Sequence, residues 1–193
     1  VVAQRRSEVL AFLGTVRRGA GIPILYVTHA VEEVARLADY LVLMEAGHIT
    51  SAGPALELLN RNDLPLALRD DAGVVLDAQV IDRDAHGLLA LHTRAGTLYA
   101  HGAAYPPGTP LRIRIQARDV SLALHHHDDS SLLNLLPATL ETLDALPGGQ
   151  VQVRLLANGT PLLARISHRS LERLQLQPGM ALWVQIKAVA LLV

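Results

Sequence analysis

Along the first third of the chain, apolar residues recur at helical spacing, then run together, then recur again. Val9, Leu10, Leu13 and Val16 follow i, i+1, i+4, i+7, which predicts a helix over residues 5–18, stopped by Gly19 and Gly21. Ile22-Pro23-Ile24-Leu25-Tyr26-Val27 is an unbroken apolar run between turn and polar residues. That pattern predicts a strand buried on both faces of a parallel sheet. Thr28 is placed to cap a helix over 30–38, a strand follows over 40–44, and Ala46-Gly47 turns into a short strand over 48–50. Gly53-Pro54 opens a helix to about 61, with proline at a tolerated first-turn position. Strand, helix, strand is an α/β pattern.

After Asp63 the period changes from helical to alternating. Strands are predicted over 74–81, 88–93, 97–100 and 111–116. In Leu111-Arg112-Ile113-Arg114-Ile115-Gln116 the alternation is strict, so Arg112 and Arg114 are expected on a solvated face. Tyr105-Pro106-Pro107-Gly108 is a loop, and His125-His126-His127-Asp128-Asp129-Ser130-Ser131 is a polar connector. Strands are expected again over 136–146, 150–156, 161–166 and 181–193, with turns at Pro147-Gly148-Gly149 and Asn158-Gly159 and one helix over 167–174. Short strands with one helix predict a small barrel of the OB type. No repeat stands out at a fixed period, and the two β regions are compatible with being halves of one module. Three segments are therefore expected: an α/β part over 1–64, a β-rich connecting part over 65–128 and a barrel over 129–193.

Composition narrows the chemistry. The chain has 193 residues, half of them hydrophobic, with 17 Lys+Arg against 18 Asp+Glu. A near-neutral charge and 3% aromatics argue against a nucleic-acid binder, which needs a basic surface and stacking platforms. The absence of cysteine excludes disulfides, thiolate nucleophiles and Cys-based zinc sites. The histidine run lacks the fixed spacing and outer hydrogen bonds of a selective metal site, so it reads as linker. Glu32-Glu33 and Asp70-Asp71 are adjacent in sequence and give no acid/base pair. Lys187 is the only lysine.

One histidine stands apart. A buried strand would deliver His29 to its C-terminal edge just before a helix, where open α/β sheets bind ligands. A histidine there can donate to a phosphoryl oxygen. The plainer reading is a turn residue that caps or packs. Tyr26-Val27-Thr28-His29, Glu32-Glu33, Ala38-Asp39-Tyr40, Met44-Glu45-Ala46-Gly47-His48-Ile49 and Ala52-Gly53-Pro54 resemble the switch region of ABC transporter ATPases. The resemblance covers about residues 5–61 and implies that His29 is the switch histidine that reads the γ-phosphate of ATP. No G-x-x-x-x-G-K-[ST] phosphate cradle, LSGGQ-type signature or acidic Walker B end is present. The chain is thus expected to be the C-terminal part of an ATPase, with ATP and Mg belonging to the full-length parent and no turnover by the chain alone.

The remainder selects a branch. Leu111 to Leu122 resembles the stretch before the last domain in ATP-binding subunits of molybdate importers. Ser131-Leu132-Leu133-Asn134, Ala164-Arg165-Ile166-Ser167, Leu176-Gln177-Pro178-Gly179 and Ile186-Lys187-Ala188-Val189 resemble a Mop domain of the TOBE class. Leu133 stands where that pattern has arginine, and Val189 where it has Ser or Thr. The resemblance implies oxyanion donors at Ser131, Asn134, Ser167 and Lys187, with molybdate or tungstate as ligand. Turn caps and a rim charge are the plain alternative for these residues. The expected function is the C-terminal part of the ATP-hydrolysing subunit of a molybdate ABC importer, a homodimer on the cytoplasmic face of the membrane working with permease subunits. The alternatives are a stand-alone oxyanion sensor or storage module, and an OB-type nucleic-acid binder.

Overall fold

A computed structural model describes residues 9, 10, 12–16, 22–61, 64, 66, 69–127 and 129–192. Residues 9, 10 and 12–16 are helical, inside the predicted 5–18, whose other positions lie outside the described residues. The first long element is α1 (Val31–Leu37), followed by the hairpin β1 (Tyr40–Glu45) and β2 (His48–Pro54) and then α2 (Ala55–Leu59). The predicted strand over 22–27 does not form. Leu25 is 94% and Val27 89% exposed, and no strand among the described residues pairs with this segment. A strand buried on both faces needs neighbours to satisfy its ladder, and here it has none.

The rest is β. Strands β3 (Gly73–Arg83), β4 (Leu88–Thr93), β5 (Gly96–His101), β6 (Pro110–Gln116) and β12 (Ala190–Leu192) form one sheet in the order β12-β6-β3-β4-β5. Strands β7 (Val120–Ala123), β8 (Asn134–Leu146), β9 (Gln150–Ala157), β10 (Thr160–Ser167) and β11 (Ala181–Ile186) form a second, in the order β10-β9-β8-β11-β7. Helix α3 (His168–Leu174) follows β10. Every pairing is antiparallel.

The two sheets are copies of one five-stranded module. In each, the first strand pairs with the second and fourth, the second with the third, and the fourth with a short strand from beyond. Both first strands carry one register break, between Val80 and Asp82 in β3 and between Leu140 and Thr142 in β8. The short fifth strands are exchanged. After β6 the chain turns through Ala117–Asp119 and becomes β7, which pairs with β11 of the second sheet. After β11 it turns at Lys187 and becomes β12, which pairs with β6 of the first. The predicted single strand over 181–193 is therefore two strands in different sheets. Its break is held by Lys187 N donating to Asp119 O at 2.8 Å.

The exchange joins the modules into one core. Val74, Ile113, Ile115, Val153, Leu155, Leu162, Val184 and Ile186 are all at or below 1% exposed and belong to a single cluster. Each such side chain stabilises the fold by about 1.5–3 kcal/mol through burial. A second, smaller cluster of Ala35, Leu59, Val75 and Leu192 seats α1 and α2 on the first sheet. Polar bonds fix the same joint. Asn60 Nδ2 donates to Val75 O and Val75 N donates to Asn60 Oδ1, both at 2.8 Å. Arg112 Nη1 donates to the Ala35 and Ala38 carbonyls at 3.1 and 3.0 Å, satisfying the open end of α1.

The expected solvated face of β6 is thus not solvated. Arg112 is half-buried on α1, and Arg114 is only 4% exposed. Alternation alone shows which side chains share a face, but not what covers that face.

Candidate functional site

His29 sits in the turn before α1, exposed to solvent. Its neighbour Thr28 organises the helix start. The Thr28 hydroxyl accepts from Ala30 N at 3.1 Å and donates to the Glu33 carboxylate, which also accepts from Tyr26 Oη at 3.2 Å. Glu33 is buried, so this carboxylate anchors the turn rather than facing solvent.

Two of the four predicted oxyanion residues come together. Asn134 opens β8 and is the cross-strand partner of Ile186, so Lys187 lies one residue past it. Ser131 lies three residues before Asn134, exposed, as is Lys187. Asn134 itself is 6% exposed, and its carboxamide clasps the Tyr99 backbone of β5. Tyr99 N donates to Oδ1 at 2.6 Å and Nδ2 donates to Tyr99 O at 3.0 Å. Asn134 thereby holds the first module against the second at this corner. Ser167 is elsewhere. It ends β10 in register with Gln150, and Gln150 pairs with Leu146 at the far end of β8. Its hydroxyl caps α3, accepting from Ser170 N at 3.0 Å.

The module repeat gives this corner a counterpart. Pairing each strand with its copy places Val74 opposite Asn134, Asp71 opposite Ser131, Gln116 opposite Lys187 and Arg165 opposite His101. The counterpart is crowded with charge. Arg69 Nε donates to Asp71 Oδ1 at 3.0 Å, and Arg114 Nη2 lies 3.7 Å from Asp71 Oδ2 and also donates to the Asp71 carbonyl. Burial pushes the Asp71 pKa up. The Arg69 hydrogen bond, the charges of Arg69 and Arg114 and a backbone amide together outweigh it, so the carboxyl sits below the ordinary aspartate value. Arg165 Nη2 donates to Arg69 O at 2.8 Å and to Gln152 Oε1 at 3.2 Å, and Nη1 lies 3.6 Å from Asp70.

Reading the sequence strand by strand missed Asp71, Arg114 and Arg165 as members of one cluster. The available signal was an internal alignment of Leu111-Arg-Ile-Arg-Ile-Gln-Ala with Leu182-Trp-Val-Gln-Ile-Lys-Ala. Two surface hollows, of about 330 and 400 Å³, are lined by residues such as Pro137 and Trp183 in one and Leu56 and Arg154 in the other. Neither includes a predicted site residue. Among the described residues no cluster of His, Asp or Glu could hold a metal ion, and no helix is long and apolar enough to cross a membrane.

Residues 130–193 match the TOBE domain family model. Over 61% of its length the chain superposes on 93% of a cytoplasmic molybdate-binding protein, ModG, solved with molybdate bound (TM-score 0.54, 20% identity), a likeness of fold. The chain as a whole is similar to part of the molybdenum import ATP-binding proteins ModC. It is 50% identical to that of Pseudomonas aeruginosa over 98% of the chain and 54% of the relative. It is 48% identical to that of Albidiferax ferrireducens over 98% of the chain and 52% of the relative. The chain spans about half the length of the curated relatives it matches.

Proposed function

We propose that this chain is the switch-region and regulatory part of the ATP-hydrolysing subunit of a molybdate ABC importer. The observation that carries the reading is 50% identity along 98% of the chain to a molybdenum import ATP-binding protein. In this reading His29 contacts the γ-phosphate of ATP bound with Mg by the rest of the subunit, where a donor acts most strongly on transition-state charge. Two subunits pair as a homodimer on the cytoplasmic face of the membrane and drive permease subunits, with no role for nucleic acid. The proposed segments are an α/β part over 1–64, a connecting part over 65–128 and the barrel over 129–193.

The β modules serve as the oxyanion sensor of that subunit. Ser131 and Lys187 supply a hydroxyl and an ammonium group at one corner, Asn134 fixes that corner and can offer its remaining amide proton, and Ser167 is the outlying candidate. Molybdate and tungstate are the ligands proposed. Lys187 offers the one charge-assisted bond that a lysine can make here.

The test is calorimetry with molybdate, tungstate and sulfate on the chain and on Lys187→Ala, beside ATPase assays of the full-length parent and its His29→Ala variant. Binding weakened about tenfold to a hundredfold by the lysine change is expected from loss of one charge-assisted bond. Turnover should collapse in His29→Ala with ATP binding retained. A fully active His29→Ala parent would overturn the switch assignment. Absence of heat with any of the three anions would reduce the β modules to an assembly role.

A further inference from the structure

The two equivalent corners differ in one decisive respect. At the second, Ser131 and Lys187 are exposed and Asp129 is 92% exposed beside His127. At the first, the position of Ser131 is taken by a carboxylate, Asp71, held by two arginines. We propose that the first corner is an anion site closed by the chain's own Asp71 carboxylate, so that the chain takes one tetrahedral oxyanion, at the second corner, where His101 stands in the place of Arg165. The proposal rests on the oxyanion reading above and deepens it by fixing the number and membership of the sites.

The first corner has the chemistry of an occupied anion site. Three guanidinium groups, Arg69, Arg114 and Arg165, converge on it. The Arg114 side chain is 4% and that of Arg165 7% exposed. Guanidinium groups lose most of their hydration at such burial and need anionic or carbonyl acceptors. Asp71 meets that need twice, through its carboxylate and its carbonyl. Polar capacity remains beyond it, since Arg165 Nε and Gln116 Oε1 are buried without a partner. A joint formed only for apolar packing would not bury such groups. Asp70 lies at the mouth, fully exposed, 3.6 Å from Arg165.

The second corner carries the same frame without the plug. The register that places Arg165 at the first corner places His101, the last residue of β5, at the second. The Asn134–Tyr99 clasp holds the end of β5 there. The next residue, Gly102, is so close to Leu191 of β12 that a Cβ would meet its Cδ1 at 2.4 Å. His101 is therefore presented beside the strand that follows Lys187, with a ring N–H to donate and no carboxylate at the Ser131 position to neutralise the site.

Reciprocal swaps test this. Molybdate and sulfate stoichiometry is measured by calorimetry and equilibrium dialysis on the chain, on Asp71→Ser and on Ser131→Asp. One equivalent is expected for the parent chain, two for Asp71→Ser and none for Ser131→Asp, with His101→Ala loosening the single site about tenfold. Two equivalents in the parent chain, or a folded Asp71→Ser chain that still takes one, would overturn the plug. Unchanged affinity in His101→Ala would remove His101 from the site. If Asp71→Ser fails to fold, Asp71→Asn keeps the side-chain shape and is read instead by the rise of its unfolding temperature with sulfate. A rise no larger than in the parent chain counts against the plug. A parent chain that binds no anion while Asp71→Ser binds one would sink the oxyanion reading of the second corner and leave the plug standing.

Discussion

The two β modules share strand order, register break and core, yet their equivalent corners have opposite character. In the first, Arg69, Arg114 and Arg165 each donate to carbonyl or carboxylate groups of the chain itself, although Arg165 Nε stays unpartnered. In the second, Lys187 and Ser131 face solvent, and the buried Asn134 uses its Oδ1 and one amide proton to join the modules. Burial decides this division. A charged group removed from water must carry its counter-charge with it, whereas an exposed one can wait for a ligand. A duplicated fold thus closes one corner with its own charges and leaves the equivalent side chains of the other exposed.

The most forceful way to break the comparison is at the shared core. Ile115 and Ile186 occupy equivalent positions and are both at or below 1% exposed. Alanine at either should cost about 2–5 kcal/mol, and the two costs should be similar. Because one cluster runs through both sheets, urea unfolding followed by circular dichroism should show a single transition in each variant. Two separated transitions would mean that the modules fold apart despite their exchanged strands.

The next test sharpens the difference between corners. Arg114→Ala strips a buried donor from Asp71 and should destabilise by about 2–3 kcal/mol. Gln185, the equivalent residue of the second module, is half-buried and uncharged, so Gln185→Ala should cost under about 1 kcal/mol. Equal losses in chemical denaturation would erase the distinction. A smaller effect is expected at the clasp. Asn134→Ala leaves the N–H and C=O of Tyr99 without their partner and should cost about 1–2 kcal/mol, together with faster hydrogen exchange at the Tyr99 amide. Protection of that amide as in the parent chain would mean that the clasp does not hold β5.

Much of this was legible in the sequence, and the losses have physical causes. Leu88–Thr93 was placed to the residue, and β3, β6, β8, β9 and β10 within a few, because alternation and turn chemistry are local. Asn158-Gly159 turned where expected between β9 and β10. The strand over 22–27 failed because burial on both faces depends on neighbours that local pattern cannot supply. The split of 181–193 was hidden because apolar residues run on through Ala188 and Val189, while the chain changes sheets at Lys187. The repeat escaped because its spacing drifts. Val74 and Asn134 are 60 residues apart, Thr93 and Ala157 64, and Ile115 and Ile186 71, so no fixed period exists. Ser131, Asn134 and Lys187 are proposed from motif resemblance, and the fold brings Asn134 and Lys187 to one corner. The first corner could not be read that way, because Arg165 of the second sheet reaches Arg69 and Asp70 only when the two sheets pack.

The finest test is the acid limb of stability. Asp71 ionises more readily in the folded chain than in the unfolded one, because Arg69 and Arg114 outweigh the cost of its burial. A carboxyl whose folded pKa is depressed adds stability above its unfolded value, and that stability is lost as pH falls through the folded value. The window therefore opens near the ordinary aspartate value of 3.8 and extends below it. The Asp71 side chain is 37% exposed, so solvent screens the pair and the contribution at neutral pH should stay under about 1 kcal/mol. The gap in unfolding free energy between the parent chain and Asp71→Asn should be constant from pH 7 to about pH 5, then shrink toward pH 2 as the parent's carboxylate takes up its proton. Ser131 carries no ionisable group, so the gap between the parent and Ser131→Asn should not change with pH over the same range. A pH-independent gap at Asp71, measured by denaturant unfolding at each pH, would show that its ion pairs contribute nothing to folding, and that the closed corner is held by the Asp71 carbonyl alone.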